Sequence, residues 1–211
     1  MSIEYHKITN KDYKRIKQLI TEAWFSGDYL EEIKNDVKQS EPKISIYSIG
    51  YLYMHMSNSS FRIGAYENDK LVGFLFGRCE KERIKHRFIN KCKLFLTGIR
   101  MLFTKVGRRG LRIYKEEHKL DSKMHQMYDK EDNELVLFIV DKNYRSLGIG
   151  RNLENKFIEH LKTLNKTCFY LYTDTYSNYQ YYEKHSYYRY QTMPTNYGGE
   201  NAEYYIYVKE I

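Results

Sequence analysis

Glu134-Leu-Val-Leu-Phe-Ile-Val-Asp-Lys-Asn-Tyr-Arg-Ser-Leu-Gly-Ile-Gly-Arg-Asn-Leu153 is the stretch that decides the fold of this chain. Its apolar run, Leu135 to Val140, shows no alternation and predicts a strand buried on both faces. A polar turn follows, and apolar residues then recur at helical spacing from Ile149. A strand, a glycine-containing turn and a helix in this order place unpaired backbone N–H groups at the positive N-terminus of the helix. The stretch therefore suits a bound pyrophosphate, although an ordinary strand-to-helix turn is the simpler alternative.

Two familiar glycine motifs do not fit this turn. The dinucleotide fingerprint needs a third glycine and an acidic residue near the next strand end, and the kinase-type phosphate loop needs Gly-Lys-Ser/Thr. The turn instead resembles the acyl-CoA loop of the GCN5-related N-acetyltransferase (GNAT) superfamily, whose pattern is Gln/Arg-x-x-Gly-x-Gly/Ala. Arg145, Gly148 and Gly150 fill that pattern, and the preceding Val-Asp-x-x-Tyr-Arg is also typical of the superfamily.

A second segment, Asn178-Tyr-Gln-Tyr-Tyr-Glu-Lys-His-Ser-Tyr187, supports the same resemblance. In the superfamily this region reads Asn, then aromatic-Tyr-Glu-Lys, then Gly-Phe, and its tyrosine lies beside the CoA sulfur. Tyr182 takes that place. The Gly-Phe pair is replaced by Ser186-Tyr187, a departure that concerns the turn into the next strand. The chain is therefore identified as a member of the GNAT superfamily.

The resemblance implies an α/β (α+β) fold, the acyl-CoA N-acyltransferase fold. Its sheet is mixed and mostly antiparallel, with a central parallel pair, and helices flank it. Hydrophobic patterns agree with this order along almost the whole chain. They predict helices at Lys11 to about Trp24 (Ile16, Leu19, Ile20 and Ala23 on one face), Asp28 to about Gln39, Ile149 to Leu164 and Asn178 to about His185, and strands at Ser2 to Thr9, Phe61 to Glu67, Leu71 to Cys79, Leu135 to Val140, Phe169 to Thr173, Tyr188 to Thr192 and Glu203 to Lys209.

One segment, at about 81–130, has no counterpart in the superfamily pattern. We expect a single domain, 1–211, with a helical insert there, because so long a loop without structure is improbable. The insert carries 15 Lys and Arg against 5 Asp and Glu, a net charge of +10, whereas the remainder has 20 against 22. An apolar stripe predicts one helix that ends at Gly107 to Gly110, and a second helix from Leu111 to Met127. The stripe consists of Phe88, Cys92, Phe95, Ile99, Leu102 and Val106.

Composition sets further limits on the kind of protein. Three widely separated cysteines, Cys79, Cys92 and Cys168, argue against a disulfide framework and a structural zinc site, and the seven histidines show no paired ligand spacing. We therefore expect no metal ion. The N-terminus lacks an apolar signal core, and no apolar run approaches about 20 residues. A cytoplasmic protein is the expectation.

The resemblance also implies the residues of the site. Tyr182 is the candidate acid that protonates the leaving thiolate. Glu134 lies eleven residues before Arg145, as the glutamate base does in histone-type members, although a solvated carboxylate at the strand entry is an equal alternative. By the same register, the N–H of Phe138 meets the acetyl carbonyl and Val140 pairs with the pantetheine like an added strand. The full set expected to contact acetyl-CoA is Phe138, Val140, Arg145, Ser146, Leu147, Gly148, Ile149, Gly150, Arg151 and Asn178, the last of which could equally cap a helix.

Together these features predict an N-acetyltransferase. The enzyme moves an acetyl group from its cosubstrate acetyl-CoA directly to an amine of a small molecule or a protein. The alternative is a GNAT-fold protein whose basic insert makes it chiefly an RNA- or anionic-surface-binding module. No RNA-binding motif is present, and nucleic acid is therefore not favoured. We favour instead a helical pair that packs its stripe on the sheet or on a second subunit, in a monomer or a homodimer.

Overall fold

A seven-stranded sheet forms the centre of the molecule. The computed structural model describes residues 2–24, 45–103, 107–108, 110–111, 114–115, 118–120, 122–123, 133–197 and 200–211. The strands run in the order β1-β2-β3-β4-β5-β7-β6, and every neighbouring pair is antiparallel except β4 and β5. This is the mixed sheet with a central parallel pair that the sequence predicts. The strands are β1 (Glu4–Lys7), β2 (Phe61–Glu67), β3 (Lys70–Arg78), β4 (Glu134–Val140), β5 (Cys168–Asp174), β6 (Tyr188–Tyr197) and β7 (Glu200–Glu210).

Five α-helices have both of their ends among the described residues. They are α1 (Tyr13–Trp24), α2 (Ile46–Asn58), α3 (Arg87–Leu102), α4 (Ile149–Thr163) and α5 (Gln180–Glu183), and short 3-10 turns cover Asn10–Asp12 and Lys142–Tyr144. Each predicted strand and helix in the described parts of the sheet region is confirmed within a few residues. The predicted helix Asp28 to Gln39 lies outside the described residues. Helix α2 has no counterpart among the predicted elements.

The two largest apolar cores lie on opposite faces of the sheet. On one face α4 buries Leu153, Phe157 and Leu161 against residues such as Leu75 and Phe169. On the other face, α1 and α2 bury a second set against the sheet, which includes Ile16, Leu19, Ile20, Leu52, Met56, Phe74, Phe76, Leu137 and Ile139. The predicted apolar face of α1 is confirmed except at Ala23, which is exposed.

The central strand β4 is less buried than its uniform apolar sequence predicts. Its burial alternates: Leu135, Leu137 and Ile139 are buried, whereas Phe138 and Val140 are half-buried. The strand is covered on both faces, but the α4 face is covered incompletely near its end, where Phe138 and Val140 lie. A bulge opposite Gly77 also shifts the register within β4.

The insert begins as a helix, but its apolar stripe does not pack on the sheet, which was one of its two predicted positions; packing on a second subunit stays a prediction. Helix α3 ends at Leu102, before Gly107, and it packs on α2. Its buried side chains are Asn90, Thr97 and Met101, whereas the described residues of the predicted apolar stripe are all exposed. Val106 lies outside the described residues. About half of the predicted second helix also lies outside them, and its remaining residues are helical. Among the described helices, none is long and apolar enough to cross a membrane.

Candidate active site

The parallel strands β4 and β5 separate almost as soon as they meet. Their ladder has one registered pair, Glu134 with Tyr170, and the Tyr170 N–H donates to Asn133 O at 2.9 Å. From there β4 stays paired with β3 up to Val140, and β5 stays paired with β7 up to Asp174. A V-shaped gap therefore opens between the two strands toward their carboxyl ends.

The backbone of β4 directs free hydrogen-bonding groups into this gap. The Asp141 N–H donates to Val72 O on β3 at 2.8 Å. Because N–H groups along an antiparallel strand alternate in direction, Ile139 also points toward β3, whereas Phe138 and Val140 point toward β5. At the Val140 end of the gap, the Val140 carbonyl accepts from Arg145 Nε at 3.4 Å. The edge of β4 that faces the gap therefore presents the hydrogen-bonding groups with which an added strand would pair.

The turn after β4 delivers a helix N-terminus close to this edge. Ser146 and Gly148 both have positive φ, 63° and 77°, and Gly148 is the N-cap of α4. Consecutive turns of this kind direct successive N–H groups to one side, and the first N–H groups of a helix lack partners within it. Residues 145–148 are exposed. The turn therefore forms an accessible nest with positive potential.

Gly148 and Gly150 have different roles in this turn. A Cβ at Gly148 would meet no atom within 4 Å, so the positive φ is what the glycine provides there. A Cβ at Gly150 would lie 3.1 Å from Phe138 Cζ and 3.7 Å from both Val140 Cγ2 and Tyr181 Oη. Gly150 therefore lets the first turn of α4 approach the end of β4 closely.

One ion pair and one hydrogen bond anchor the turn to neighbouring elements of the fold. The Asp141 carboxylate is 2.5 Å from Arg15 Nη2 of α1, and it also accepts from Asn143 N–H at 3.0 Å. The Tyr144 hydroxyl donates to Glu67 of β2 at 2.6 Å. Sequence reasoning did not assign Arg15 and Glu67 to the site. They hold the turn in place, and no local pattern links them to it because they lie far away along the chain.

The two neighbouring tyrosines of α5 occupy different surroundings. Tyr181 donates to Glu154 of α4 at 2.8 Å, stacks on His185 and meets the Phe138 ring edge to face, with centroids 5.7 Å apart. Glu154 is buried, and its carboxylate also forms an ion pair with the Lys209 ammonium group. The hydroxyl of Tyr181 is therefore committed to a structural network, although its ring lies beside the gap.

Tyr182 lies beside Tyr181, whose ring it meets edge to face with centroids 5.5 Å apart, and it packs with two further aromatic rings. Its ring centroid lies 5.2 Å from Tyr187 and 5.6 Å from Tyr207. No hydrogen bond joins its hydroxyl to a described residue. Burial, assisted by the nearby Glu154 charge, raises the pKa of Tyr182 well above that of an exposed phenol. The phenol therefore keeps its proton at neutral pH.

Glu134 lies at the closed end of the gap. Its carboxylate is 2.8 Å from Arg78 Nη2, and its side chain is only 14% exposed. Arg78 also donates to the Tyr170 hydroxyl at 2.7 Å. Glu134 is thus an oriented, ion-paired carboxylate at the narrow end of the gap, not the solvated group that its position at the strand entry also allows.

Asn178 follows the end of β5 and is exposed. The residue at the N-cap position of α5 is Tyr179, without a side-chain cap, so Asn178 does not cap that helix. The preceding turn is shaped by Asp174, whose carboxylate accepts from Tyr176 N–H and Ser177 N–H at 3.0 and 2.8 Å. Burial raises the pKa of Asp174, and the hydrogen bonds from Ser177 oppose that rise.

One possible metal-ligand cluster was missed in the sequence because its members are distant along the chain. Ligand atoms of Cys79, Glu82 and His160 lie within 4.8 Å of one another. His160 Nε2 is 3.2 Å from both Glu82 oxygens, and burial raises the pKa of Cys79 to about 12. A neutral thiol beside a His–Glu hydrogen bond accounts for the grouping without an ion.

Comparison with known proteins gives a consistent result. The model of the acetyltransferase (GNAT) family matches residues 15–187. A sequence comparison with curated proteins gives no match. The structure is similar to PaiA N-acetyltransferase from Thermoplasma acidophilum in complex with coenzyme A (TM-score 0.54, 15% identity, covering 100% of both chains). It is also similar to Arabidopsis thaliana NAA60 in complex with a bisubstrate analogue (TM-score 0.54, 15% identity, 100% of this chain and 98% of that one) and to an N-acetyltransferase from Staphylococcus aureus Mu50 (TM-score 0.56, 11% identity, 100% and 99%).

Proposed function

The chain belongs to the GNAT acetyltransferase family, and we propose that it transfers the acetyl group of acetyl-CoA directly to an amine of a small molecule or a protein. The observation that carries this proposal is the gap between β4 and β5, which lies next to the N-terminal turn of α4. The similar PaiA structure contains coenzyme A, and the similar NAA60 structure contains a bisubstrate analogue. Both support acetyl-CoA as the cosubstrate.

We assign the binding of acetyl-CoA to backbone groups in two places. The turn from Arg145 to Arg151, with Ser146, Leu147, Gly148, Ile149 and Gly150, receives the pyrophosphate on the N–H groups that lack partners at the start of α4. The Val140 N–H, which points into the gap, pairs with the pantetheine arm as a neighbouring strand would. Asn178, exposed beyond the end of β5, contacts the same arm.

The acetyl group then lies at the edge of β4. We assign the Phe138 N–H to its carbonyl oxygen, because a fixed donor stabilises the charge that develops on that oxygen during transfer. The amine nitrogen forms the new bond to the carbonyl carbon, and the bond from that carbon to sulfur breaks. Main-chain donation suffices for this polarisation, so the proposed reaction uses no metal ion.

Two side chains move protons in this proposal. Tyr182 donates its phenolic proton to the departing thiolate, and burial keeps that proton available at neutral pH. Glu134, directly or through water, accepts the proton that the amine must lose, since an alkylamine has a pKa near 10.4. We further propose that residues 1–211 form one domain with an insert at about 81–130, and that the protein is cytoplasmic.

Thermal denaturation with and without acetyl-CoA tests the binding site. At a hundredfold excess over Kd, a ligand of the native state stabilises it by about 2.7 kcal/mol, which raises Tm by roughly 5–10 °C for a chain of this size. Gly148→Asp should abolish the shift, because a carboxylate would lie where the pyrophosphate binds.

Gly148→Asn is the matched control for this experiment. Asn and Asp are nearly equal in size, both tolerate positive φ, and a side chain at this position meets no neighbouring atom. The Asn variant should therefore retain most of the shift. Equal shifts in the wild type and the Asp variant would remove the pyrophosphate from this turn.

A further inference from the structure

The outer face of α3 is an exposed apolar surface. Phe88, Phe95 and Phe103 are 78%, 69% and 80% exposed. Four further apolar side chains on the same helix are also exposed: Ile89, Leu96, Ile99 and Leu102. A cluster of this size on a soluble domain marks a surface that another partner covers. We call these seven residues the α3 apolar face.

Packing against α2 fixes which side of α3 points outward. Thr97 Cγ2 and Met101 Sδ would lie 3.8 and 3.9 Å from a Cβ at Gly50 of α2. Asn90 Nδ2 lies 3.5 Å from Met56 O. The helix therefore buries Asn90, Thr97 and Met101 and leaves its aromatic side exposed. It cannot turn that side inward without breaking these contacts.

The apolar face lies opposite the buried side and has a basic rim. At about 100° per residue, the α3 apolar face covers an arc of roughly 140°, centred opposite Asn90 and Thr97. Arg87 and Lys91 lie at one margin of this arc, and Lys93 and Arg100 lie at the other. All four basic side chains are exposed, and Arg87 to Phe103 contains no acidic residue.

A partner for this face must be both apolar and anionic. A second copy of the chain would present the same basic rim, with no carboxylate on either helix to pair with it. A nucleic acid would match the charges but would leave most of the apolar arc without a partner. The surface of an anionic lipid bilayer matches both, because acyl chains receive the apolar side chains while lipid headgroups pair with the basic margin.

We propose that α3 docks the protein on anionic lipid bilayers, lying in the plane of the interface with its apolar face submerged. The layers of the fold make this geometry possible. Helix α3 packs on α2, α2 packs on the sheet, and α4 with its acyl-CoA turn lies on the opposite face of the sheet. The turn therefore stays open to water when α3 is docked. One amphipathic helix gives reversible binding that weakens as salt rises.

Vesicle co-sedimentation of the full-length protein tests this proposal. The vesicles are phosphatidylcholine with 30% phosphatidylserine, and vesicles of phosphatidylcholine alone are the comparison. We expect the bound fraction to be at least tenfold higher on the anionic vesicles and to fall at 0.5 M salt. Phe95→Ser/Leu96→Ser and Lys91→Glu/Arg100→Glu should each reduce binding at least tenfold.

Two controls separate lipid docking from loss of the fold. Lys7→Glu/Lys162→Glu reverses two exposed charges on β1 and α4, and it should bind like the wild type. Far-UV circular dichroism should be unchanged in every variant. Phe95→Trp adds a reporter to a chain with a single tryptophan, Trp24, and its emission should shift to shorter wavelength only with anionic vesicles.

Several results would overturn the proposal. Equal binding to neutral and anionic vesicles would do so, as would wild-type binding by either α3 variant. The face would be assigned to a second copy if light scattering shows a dimer, Phe95→Ser/Leu96→Ser dissociates it, and the wild type does not bind vesicles. If RNA displaces the wild-type protein from vesicles, and Phe95→Ser/Leu96→Ser still binds RNA, the basic surface of α3 would be assigned to nucleic acid.

Discussion

Tyr181 and Tyr182 are adjacent, yet their hydroxyl groups have different chemical environments. The Tyr181 hydroxyl donates to a buried carboxylate, that of Glu154, which Lys209 also contacts. Loss of this hydroxyl would leave Glu154 with fewer partners and would affect stability. The Tyr182 hydroxyl has no hydrogen-bond partner in the described part of the chain, and burial raises its pKa. A phenol of this kind is free to donate its proton to a bound group.

The pair of Tyr→Phe variants tests the assignment of the acid. Tyr182→Phe keeps the ring and its packing but removes the proton donor, so kcat should fall by about 10²–10⁴-fold with little change in acetyl-CoA affinity. Tyr181→Phe should lower Tm and leave kcat within a fewfold of wild type. Because the Tyr181 ring contacts Phe138 at the gap, the reverse outcome would transfer the acid role to Tyr181.

Glu134 combines a structural contact with the proposed role of base. Glu134→Gln and Arg78→Met both break the same ion pair, so both should lower Tm. Only Glu134→Gln removes the carboxylate, so only it should lower kcat, by about 10²-fold or more at neutral pH. Steady-state rates at saturating substrates measure this difference. Equal, near-normal rates in the two variants would leave Glu134 as an ion-pair residue alone.

At the scale of elements, the free edge of β4 is what the proposed site depends on most. The Val140 N–H points into the gap, so Val140→Pro removes no hydrogen bond within the sheet. It should weaken acetyl-CoA binding by about fivefold to tenfold, the equivalent of one hydrogen bond of about 1 kcal/mol. Calorimetric titration measures the affinity, and Tm should change little.

Ile139→Pro is the control for this strand. Its N–H points toward β3, so proline there leaves a carbonyl of β3 unpaired at a cost of about 1–3 kcal/mol. This variant should lose several degrees in Tm, unlike Val140→Pro. If both variants lose the same stability, the direction of the β4 backbone is not as described.

Local alternating and helical patterns allowed most elements of the sheet region to be predicted, and the resemblance to the superfamily supplied the mixed sheet with its central parallel pair. Helix α2 was missed since its sequence is rich in tyrosine and serine and contains Gly50, all weak helix formers. Packing against α1, α3 and the sheet stabilises it instead. Tertiary contacts of this kind leave little local signal.

Helix α3 shows a second limit of sequence patterns. Periodicity correctly grouped its apolar residues on one side of a helix, but it does not say what covers that side. The protein contacts α3 through Asn90, Thr97 and Met101, two of which are polar. The anchors of the turn, such as Arg15 on Asp141, were likewise beyond prediction because they pair residues that are distant along the chain.

At the scale of the whole molecule, the net positive charge and the proposed active site lie in different regions of the chain. The insert holds a net charge of +10, and the rest of the chain is nearly neutral, with 20 basic and 22 acidic residues. The alternative view of the chain, as chiefly a binding module, rested on that charge alone. The gap, the turn and the paired tyrosines lie outside the insert, so a surface role for α3 and acetyl transfer do not compete for the same residues.

The central claim is that the protein moves an acetyl group from acetyl-CoA to an amine. CoA release measured across a panel of polyamines, aminoglycosides, small metabolites and peptide amines, with mass spectrometry of the products, tests it most directly. We predict that at least one amine gains a single acetyl group with one equivalent of CoA released, and that Gly148→Asp and Tyr182→Phe reduce this rate by at least 10²-fold. CoA release that never exceeds hydrolysis with any amine, or product formed equally well by both variants, would contradict the account.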